Sequence, residues 1–322
     1  MKHLSKTALI VSTLFLSSLA FGGLFDRKTE AKDGNAKLDL PPYNGIKHAI
    51  GVIPFENTSY WKDDIDLQEN MTTMLENVLL ESGRFVVVER ENMEDTLAEQ
   101  DLQSGGRAAK ANDVAQTGVI RSAKYLARAQ ITGVEANESG GGGGINIGKF
   151  SVGASGGKAQ IEMVIKIYDS STSEIKASQR IVGKAGKRGF SLGFSESGLS
   201  TSIGGFSKTP IGEAAYDCIA QAVEFMAKEF EDYSVEGSVV TVTGDGRIVI
   251  NRGSQFNVTN GSRFQIREVG EVLTDPSTGE VLDRIEGAIT ATIEVTRVTE
   301  KVSYCKLVDG ELPVRGDSVI GI

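Results

Sequence analysis

The sequence predicts an α/β (α+β) domain that carries two β-hairpins and is followed by a small all-β barrel. Three observations predict it. Apolar runs of strand length alternate with helix-period patterns as far as residue 230. Two Gly/Ser-rich segments, one with clear period-two alternation, interrupt that rhythm. From Val235 onward, short alternating strands are separated by turns. With 322 residues, 40% of them hydrophobic, the chain is long enough for one large domain or two ordinary ones.

The elements follow in order. Lys2 and Lys6, the apolar run Ala8–Leu16 and the ending Ser18-Leu19-Ala20 make residues 1–20 a secretory signal peptide, cut after Ala20. The run is short for a spanning helix, which takes about 20 residues. No cysteine lies near the cleavage site, so nothing points to a lipid anchor. Residues 21–45 are polar, contain Pro41-Pro42 and are expected to be a flexible leader. The α/β domain occupies 46–234. "HAIGVIPF", His48–Phe55, is its first strand. Leu67, Met71, Met74, Leu75, Val78 and Leu79 then recur at three- and four-residue steps, the mark of one helix face, and Ser82-Gly83 ends that helix. "RFVVVER", Arg84–Arg90, is a second strand; Met93 and Leu97 belong to a second helix, and a third is expected over Ala109–Ala115. "YLARAQITGVEA", Tyr125–Ala136, is a strand. In the next, "IEMVIKIY", Ile161, Met163, Ile165 and Ile167 point one way. "DSSTSE" turns the chain into "IKASQRIVG". A long helix, Ile211–Phe230, closes the domain on Ala215, Ile219, Val223, Met226 and Phe230. The order of elements implies a sheet with at least partly parallel pairing. Residues 235–322 form the barrel, with turns at Gly244-Asp245-Gly246, Asn260-Gly261 and "DPSTGE".

Composition excludes several chemistries. A net charge of −9 argues against a nucleic-acid binder, which needs a basic face to replace counterions. The two cysteines, Cys218 and Cys305, fall in different domains and read as buried free thiols, although an oxidising compartment allows a bridge. Of the two histidines, His3 is in the signal peptide and His48 opens an apolar strand. One histidine builds neither a His-rich metal site nor a convincing catalytic triad. We therefore expect no enzyme, no cofactor and no metal. Gly143–Lys149 spells G-x-x-x-x-G-K, but Phe150 stands where a phosphate-binding loop needs Ser or Thr, and no helix can follow.

The Gly/Ser-rich segments lie within 139–166 and 183–208. In the second, Phe190, Leu192 and Phe194 share one parity and small polar residues the other; Leu199, Thr201, Ile203 and Gly205 alternate likewise on the return. Each arm has about nine or ten residues, the length of a tilted membrane-crossing strand, and apolar-out, polar-in alternation is the barrel pattern. In the first segment Ile145 and Ile147 share one parity, Phe150 and Val152 the other, so a bulge or a turn is required near Gly148-Lys149. Flexible surface loops are the alternative reading of both segments. Two hairpins cannot close a barrel, so a membrane-spanning role requires several copies.

"IPFENTS", the first amphipathic helix, "SGRFVVVERENM", "SAKYLARAQITG", the glycine run, "VIKIYDSSTSEI" and the closing helix, in that order, resemble the CsgG/HfaB family over residues 46–230. The resemblance implies an outer-membrane secretion channel, with curli-like transport as its activity, built as a ring of identical subunits. Each subunit gives two hairpins to a shared transmembrane β-barrel, which puts Ile145, Ile147, Phe150, Val152, Phe190, Leu192, Phe194, Leu199 and Ile203 against lipid. It also implies a pore-constriction loop at Glu56–Asp64, "ENTSYWKDD", with Asn57, Tyr60 and Trp61; Trp61 packing on its own domain is the alternative. The implied partners are identical subunits, outer-membrane lipid, and secreted subunits or periplasmic accessory proteins. The missing lipidation cysteine departs from the curli channel. "GDGRIVINRGSQFNVTNGSRFQI" and the strands after it resemble the C-terminal barrel of FlgT, a periplasmic flagellar-motor ring protein. A non-channel periplasmic ring or scaffold protein, soluble in the periplasm, is therefore the second reading.

Overall fold

The computed structural model describes residues 38, 40–61, 65–105, 120–137, 145–147, 150–152, 158–186, 206, 209–279, 281–285 and 287–322. The expected signal peptide, the third helix at 109–115 and the second Gly/Ser-rich segment from 187 to 205 lie outside these residues.

The first body is built on β1 (His48–Asn57), α1 (Leu67–Glu81), β2 (Phe85–Val88), α2 (Met93–Ser104), β3 (Tyr125–Asn137), β4 (Ile145–Ile147), β5 (Phe150–Val152), β6 (Lys158–Asp169), β7 (Ile175–Lys184) and α3 (Pro210–Glu229). Five strands form one sheet in the order β2-β1-β3-β6-β7. β1 runs parallel to both β2 and β3, while β3–β6 and β6–β7 are antiparallel, so the sheet is mixed. The apolar parity of β6 decides its orientation. Ile161, Met163, Ile165 and Ile167 are fully buried in the core on the face that α3 covers. The opposite parity carries Glu162, Lys166 and Tyr168 on the other face.

Helix α1 starts where Asp66 Oδ1 accepts from Gln68 N (2.9 Å) and Glu69 N (3.1 Å). Met71, Met74, Leu75, Val78 and Leu79 are buried, as the spacing predicts. Helix α2 buries only Gln100 and leaves Leu97 exposed. Helix α3 starts one residue before the predicted Ile211, with Pro210 at its first turn; Phe230 falls in a 3₁₀ turn, Phe230–Asp232. His48, Phe85, Tyr125 and Tyr233 pack around the Phe230 ring, with centroids 5.0–5.3 Å away.

The chain before β1 departs from the flexible leader expected through residue 45. Leu38 and Leu40 pack on the core. The buried Arg84 donates to Pro41 O (3.0 Å), and its guanidinium lies 4.8 Å from the Tyr43 ring centre. A buried guanidinium is costly without partners; this stretch supplies two, and Glu231 lies 3.7 Å away as a third.

The second body comprises β8 (Glu236–Val242), β9 (Ile248–Ile250), β10 (Arg263–Arg267), β11 (Val272–Thr274), β12 (Val281–Arg284), β13 (Ile289–Val298), β14 (Ser303–Gly310) and β15 (Ser318–Gly321). Six of them close a barrel, β10-β13-β14-β9-β8-β15, and β11–β12 form a separate two-stranded ladder. Its core holds Ile248, Ile250, Phe256, Phe264, Ile266, Ile293, Cys305 and Val319. The α/β body contributes Ile46, Ala49 and Val86, which pack on this core. Lys47 N donates to Phe256 O (2.9 Å) and Asn257 Nδ2 to Gly45 O (3.0 Å). Gly321 leaves room for Ile46, whose Cδ1 lies 2.5 Å from where a Cβ would sit. Cys218 and Cys305 are free and buried, one in each body.

Candidate functional site

Three neighbouring strands reach the same end of the sheet. β3 and β6 stay paired to Asn137↔Lys158, and β6 and β7 to Gln160↔Lys184. β1 stops earlier, at Asn57 opposite Ile131. Beyond β1, the sheet is therefore an arm made of β3, β6 and β7. The first Gly/Ser-rich segment connects the ends of β3 and β6, and the second leaves from the end of β7. Both depart from one end of one sheet.

The base of the second segment is fixed from both sides. On the way out, Ala185 N donates to Ala159 O (2.9 Å), Lys184 N to Asp217 Oδ2 (3.0 Å) and Gly186 N to Glu213 Oε2 (3.0 Å). Asp217 and Glu213 stand on the first half of α3. On the return, Phe206 is buried in the core. Thr209 caps α3, its Oγ1 donating to Phe206 O (2.8 Å) and accepting from Gly212 N (3.0 Å). Helix α3 meets β7 with no side chain between them at Gly183, where an added Cβ would lie 2.2 Å from Ala214 O and 2.6 Å from Cys218 N.

Of the residues expected to face lipid, Phe190, Leu192, Phe194, Leu199 and Ile203 lie outside the described residues. Ile145, Ile147, Phe150 and Val152 lie in β4 and β5, which form an antiparallel ladder. Ile145 pairs with Val152, Asn146 with Ser151 and Ile147 with Phe150. Two residues separate positions 147 and 150. The change of parity at 148–149 thus comes from a reversal of the chain, not from a bulge within a strand. Directly paired positions lie on one side of a ladder, so positions 145, 147, 150 and 152 share a side.

The expected constriction loop follows β1 on the same end of the sheet. Thr58 N and Oγ1 both donate to Ile131 O, at 3.0 Å. Asn57 Oδ1 accepts from Ser59 N (3.0 Å) and Ser59 Oγ (2.6 Å), and Ser59 Oγ accepts from Trp61 N (3.3 Å). Asn57 therefore shapes the loop from within. The two aromatics part company. Trp61 is half-buried and packs on the core, whereas Tyr60 is 103% exposed.

Burial accounts for the thiols and the histidine. It pushes Cys218 and Cys305 up to about 12, so neither is a thiolate near neutral pH. It also lowers His48 to about 4, helped by the positive charges of Arg252 and Lys124. Among the described residues, no group of three His, Cys, Asp or Glu side chains is placed to hold a metal ion, and no helix is long and apolar enough to cross a membrane. The second statement has no bearing on strands.

A family described as curli production assembly/transport component CsgG matches residues 38–245. No curated protein matches the chain. Among solved structures, the hypothetical protein CT253 of Chlamydia trachomatis is 10% identical; the match covers 58% of this chain and 100% of that one, with a TM-score of 0.35. The PelC dodecamer of Paraburkholderia phytofirmans is 12% identical, with 57% and 90% covered and a TM-score of 0.28. Protein XCC0632 of Xanthomonas campestris is 11% identical, with 60% and 91% covered and a TM-score of 0.34.

Proposed function

The chain belongs to the CsgG family, and on that premise we propose that it is a subunit of a homo-oligomeric outer-membrane secretion channel that exports or assembles cell-surface material. The observation that carries this reading is the common exit of both Gly/Ser-rich segments from one end of the β3–β6–β7 arm. Segments that leave together can cross a membrane together. Strands in lipid must pair along both edges, so each copy takes its neighbours' hairpins as partners and the barrel closes only in a ring. Phe190, Leu192, Phe194, Leu199 and Ile203, with Ile145, Ile147, Phe150 and Val152, face lipid, and the Gly/Ser positions line the lumen.

The loop after β1 is the narrow point. It stands beside the arm, is pinned through Thr58 to Ile131, and presents Tyr60 outward while Trp61 holds it to the core. A ring of Tyr60 side chains passes an extended chain and stops a folded one. Transport needs no chemical step, and the mature protein sits in the outer membrane with both described bodies in the periplasm.

Fractionation of cells expressing the protein at native level tests the reading. The expected result is recovery of the mature protein in the outer-membrane fraction, and conductance steps when the purified oligomer is added to a planar bilayer. Recovery wholly in the soluble periplasmic fraction overturns it and leaves the ring or scaffold reading. Replacing Phe190, Leu192 and Phe194 together by Arg is expected to abolish insertion, because Arg on the lipid face costs about 2–4 kcal/mol per residue at the bilayer midplane. Unchanged membrane recovery of that variant overturns the assignment of the lipid face.

A further inference from the structure

An open cleft of about 610 Å³ lies where the two bodies meet, a volume typical of small-molecule sites. Its charge is opposite to that of the chain. Four cations line it, Arg121, Lys124, Arg252 and Lys301, against one carboxylate, Glu236, in a protein of net charge −9. Glu236 is already engaged, because Lys124 Nζ lies 2.9 Å from its Oε2. His48, also in the wall, adds no charge near neutral pH.

Two of the remaining cations, Arg121 and Arg252, are held in place by the fold. Phe256 is buried, and two guanidiniums approach its ring, Arg252 at 4.6 Å and Arg121 at 4.8 Å from the centre. Arg252 Nη1 donates to Asn251 O (3.0 Å) and Oδ1 (3.1 Å), and Nη2 to Glu236 O. Its Nε is buried without a partner. Burial and the field of Arg121 together lower Arg252 to about 10, so the two charges repel each other. Among the described residues, nothing accepts a hydrogen bond from the Arg121 guanidinium; Glu300 acts on it only as a nearby charge. Lys301 stands exposed at the rim. Like charges brought together at a domain junction, with donors left over, are costly unless an anion joins them.

We propose that this cleft binds a phosphate-bearing anion, held by Arg121 and Lys301 with Arg252 behind them. Phosphate fits because it carries two charges and several acceptors, the complement of converging Arg and Lys donors. The phosphate comes either from a soluble organic phosphate or from a lipid headgroup. The proposal is independent of the channel and scaffold readings alike.

Calorimetric titration of the mature full chain with inorganic phosphate and with pyrophosphate, together with flotation on phosphatidylglycerol and phosphatidylcholine vesicles, tests it. Pyrophosphate is expected to bind, more weakly at high salt. Arg121→Gln and Lys301→Gln, checked for an unchanged melting temperature, are each expected to lose about tenfold in affinity, the effect of one charge-assisted hydrogen bond. Glu236→Gln is expected to act in the opposite direction and tighten binding, an effect that loss of folding cannot mimic. Flotation with phosphatidylglycerol but not phosphatidylcholine, lost in Arg121→Gln, with no response to soluble phosphates, identifies the headgroup as the source. Absence of binding to every probe, or binding that neither Arg121→Gln nor Lys301→Gln weakens, overturns the proposal.

Discussion

His48 and Glu76 show what burial does to single titratable groups, and they pull stability in opposite directions. His48 has its pKa lowered to about 4, mainly by burial, against about 6.5 in an unfolded chain. As the pH falls below about 6.5, the unfolded state takes up a proton that the folded state refuses, so stability drops toward pH 4 and returns as the pH rises. Urea-unfolding midpoints measured across that range are expected to fall on acidification, and His48→Gln is expected to flatten the trend; an unchanged slope refutes this role. Glu76 is the reverse. Burial, then the charges of Glu89 and Glu91, raise it to about 7, and its Oε1 has no partner. The folded state keeps a proton that the unfolded carboxyl loses above about pH 4.5, so this contribution disappears as the pH rises toward 7. Glu76→Gln is expected to stabilise the protein at pH 8 by about 1 kcal/mol, a figure reduced for partial exposure, and a lower urea midpoint would contradict it. Sequence alone exposed little of this. It marked His48 as structural from its place in an apolar strand. It could not place Arg121 and Arg252 around one ring, because Arg121 reaches the Phe256 ring of the barrel only where the two bodies meet.

Elements were far more legible than their meetings. Helix α1 and strand β6 follow directly from apolar periods of about 3.6 and two, because each has one face to bury. Within the leader expected over 21–45, the packed stretch from residue 40 is not legible, because its anchors, Arg84 and Asn257, are distant in sequence. The parity change at 148–149 was visible as letters, and only the register β4↔β5 resolves it into a reversal. The close approach of α3 to β7 is not legible in the letters, since one glycine among many, Gly183, makes room for it. Gly183→Ala is expected to force the helix and strand apart and to cost about 1–3 kcal/mol in urea unfolding, the usual range for overpacking. An unchanged midpoint would mean that α3 shifts freely. Thr209→Ala is expected to cost about 1 kcal/mol through the lost cap, measured in the same way.

For the whole molecule, the periodic parts gave the mixed sheet and the barrel, and the Gly/Ser-rich parts did not give a geometry. Such segments have few side chains to bury, so their letters specify little packing to read. The body they leave is complete without them, because Phe206 and Thr209 close the core and cap α3. Replacing residues 187–205 by a short Gly/Ser linker is therefore expected to leave a cooperative thermal transition of the described bodies in detergent-free buffer while abolishing conductance. Loss of the transition would show that the segment belongs to the fold. The chain joins the two bodies at Ser234–Val235, and a second line of contacts fastens them again: Asn257 Nδ2 donates to Gly45 O, Lys47 N to Phe256 O, Lys124 pairs with Glu236, and Arg121 lies over the Phe256 ring. A panel hung from a single hinge can swing, but one fastened along two lines cannot. Any force applied to the barrel is then delivered to the start of β1, which is paired on both edges by β2 and β3, so a load on one body becomes a load on the other without slack.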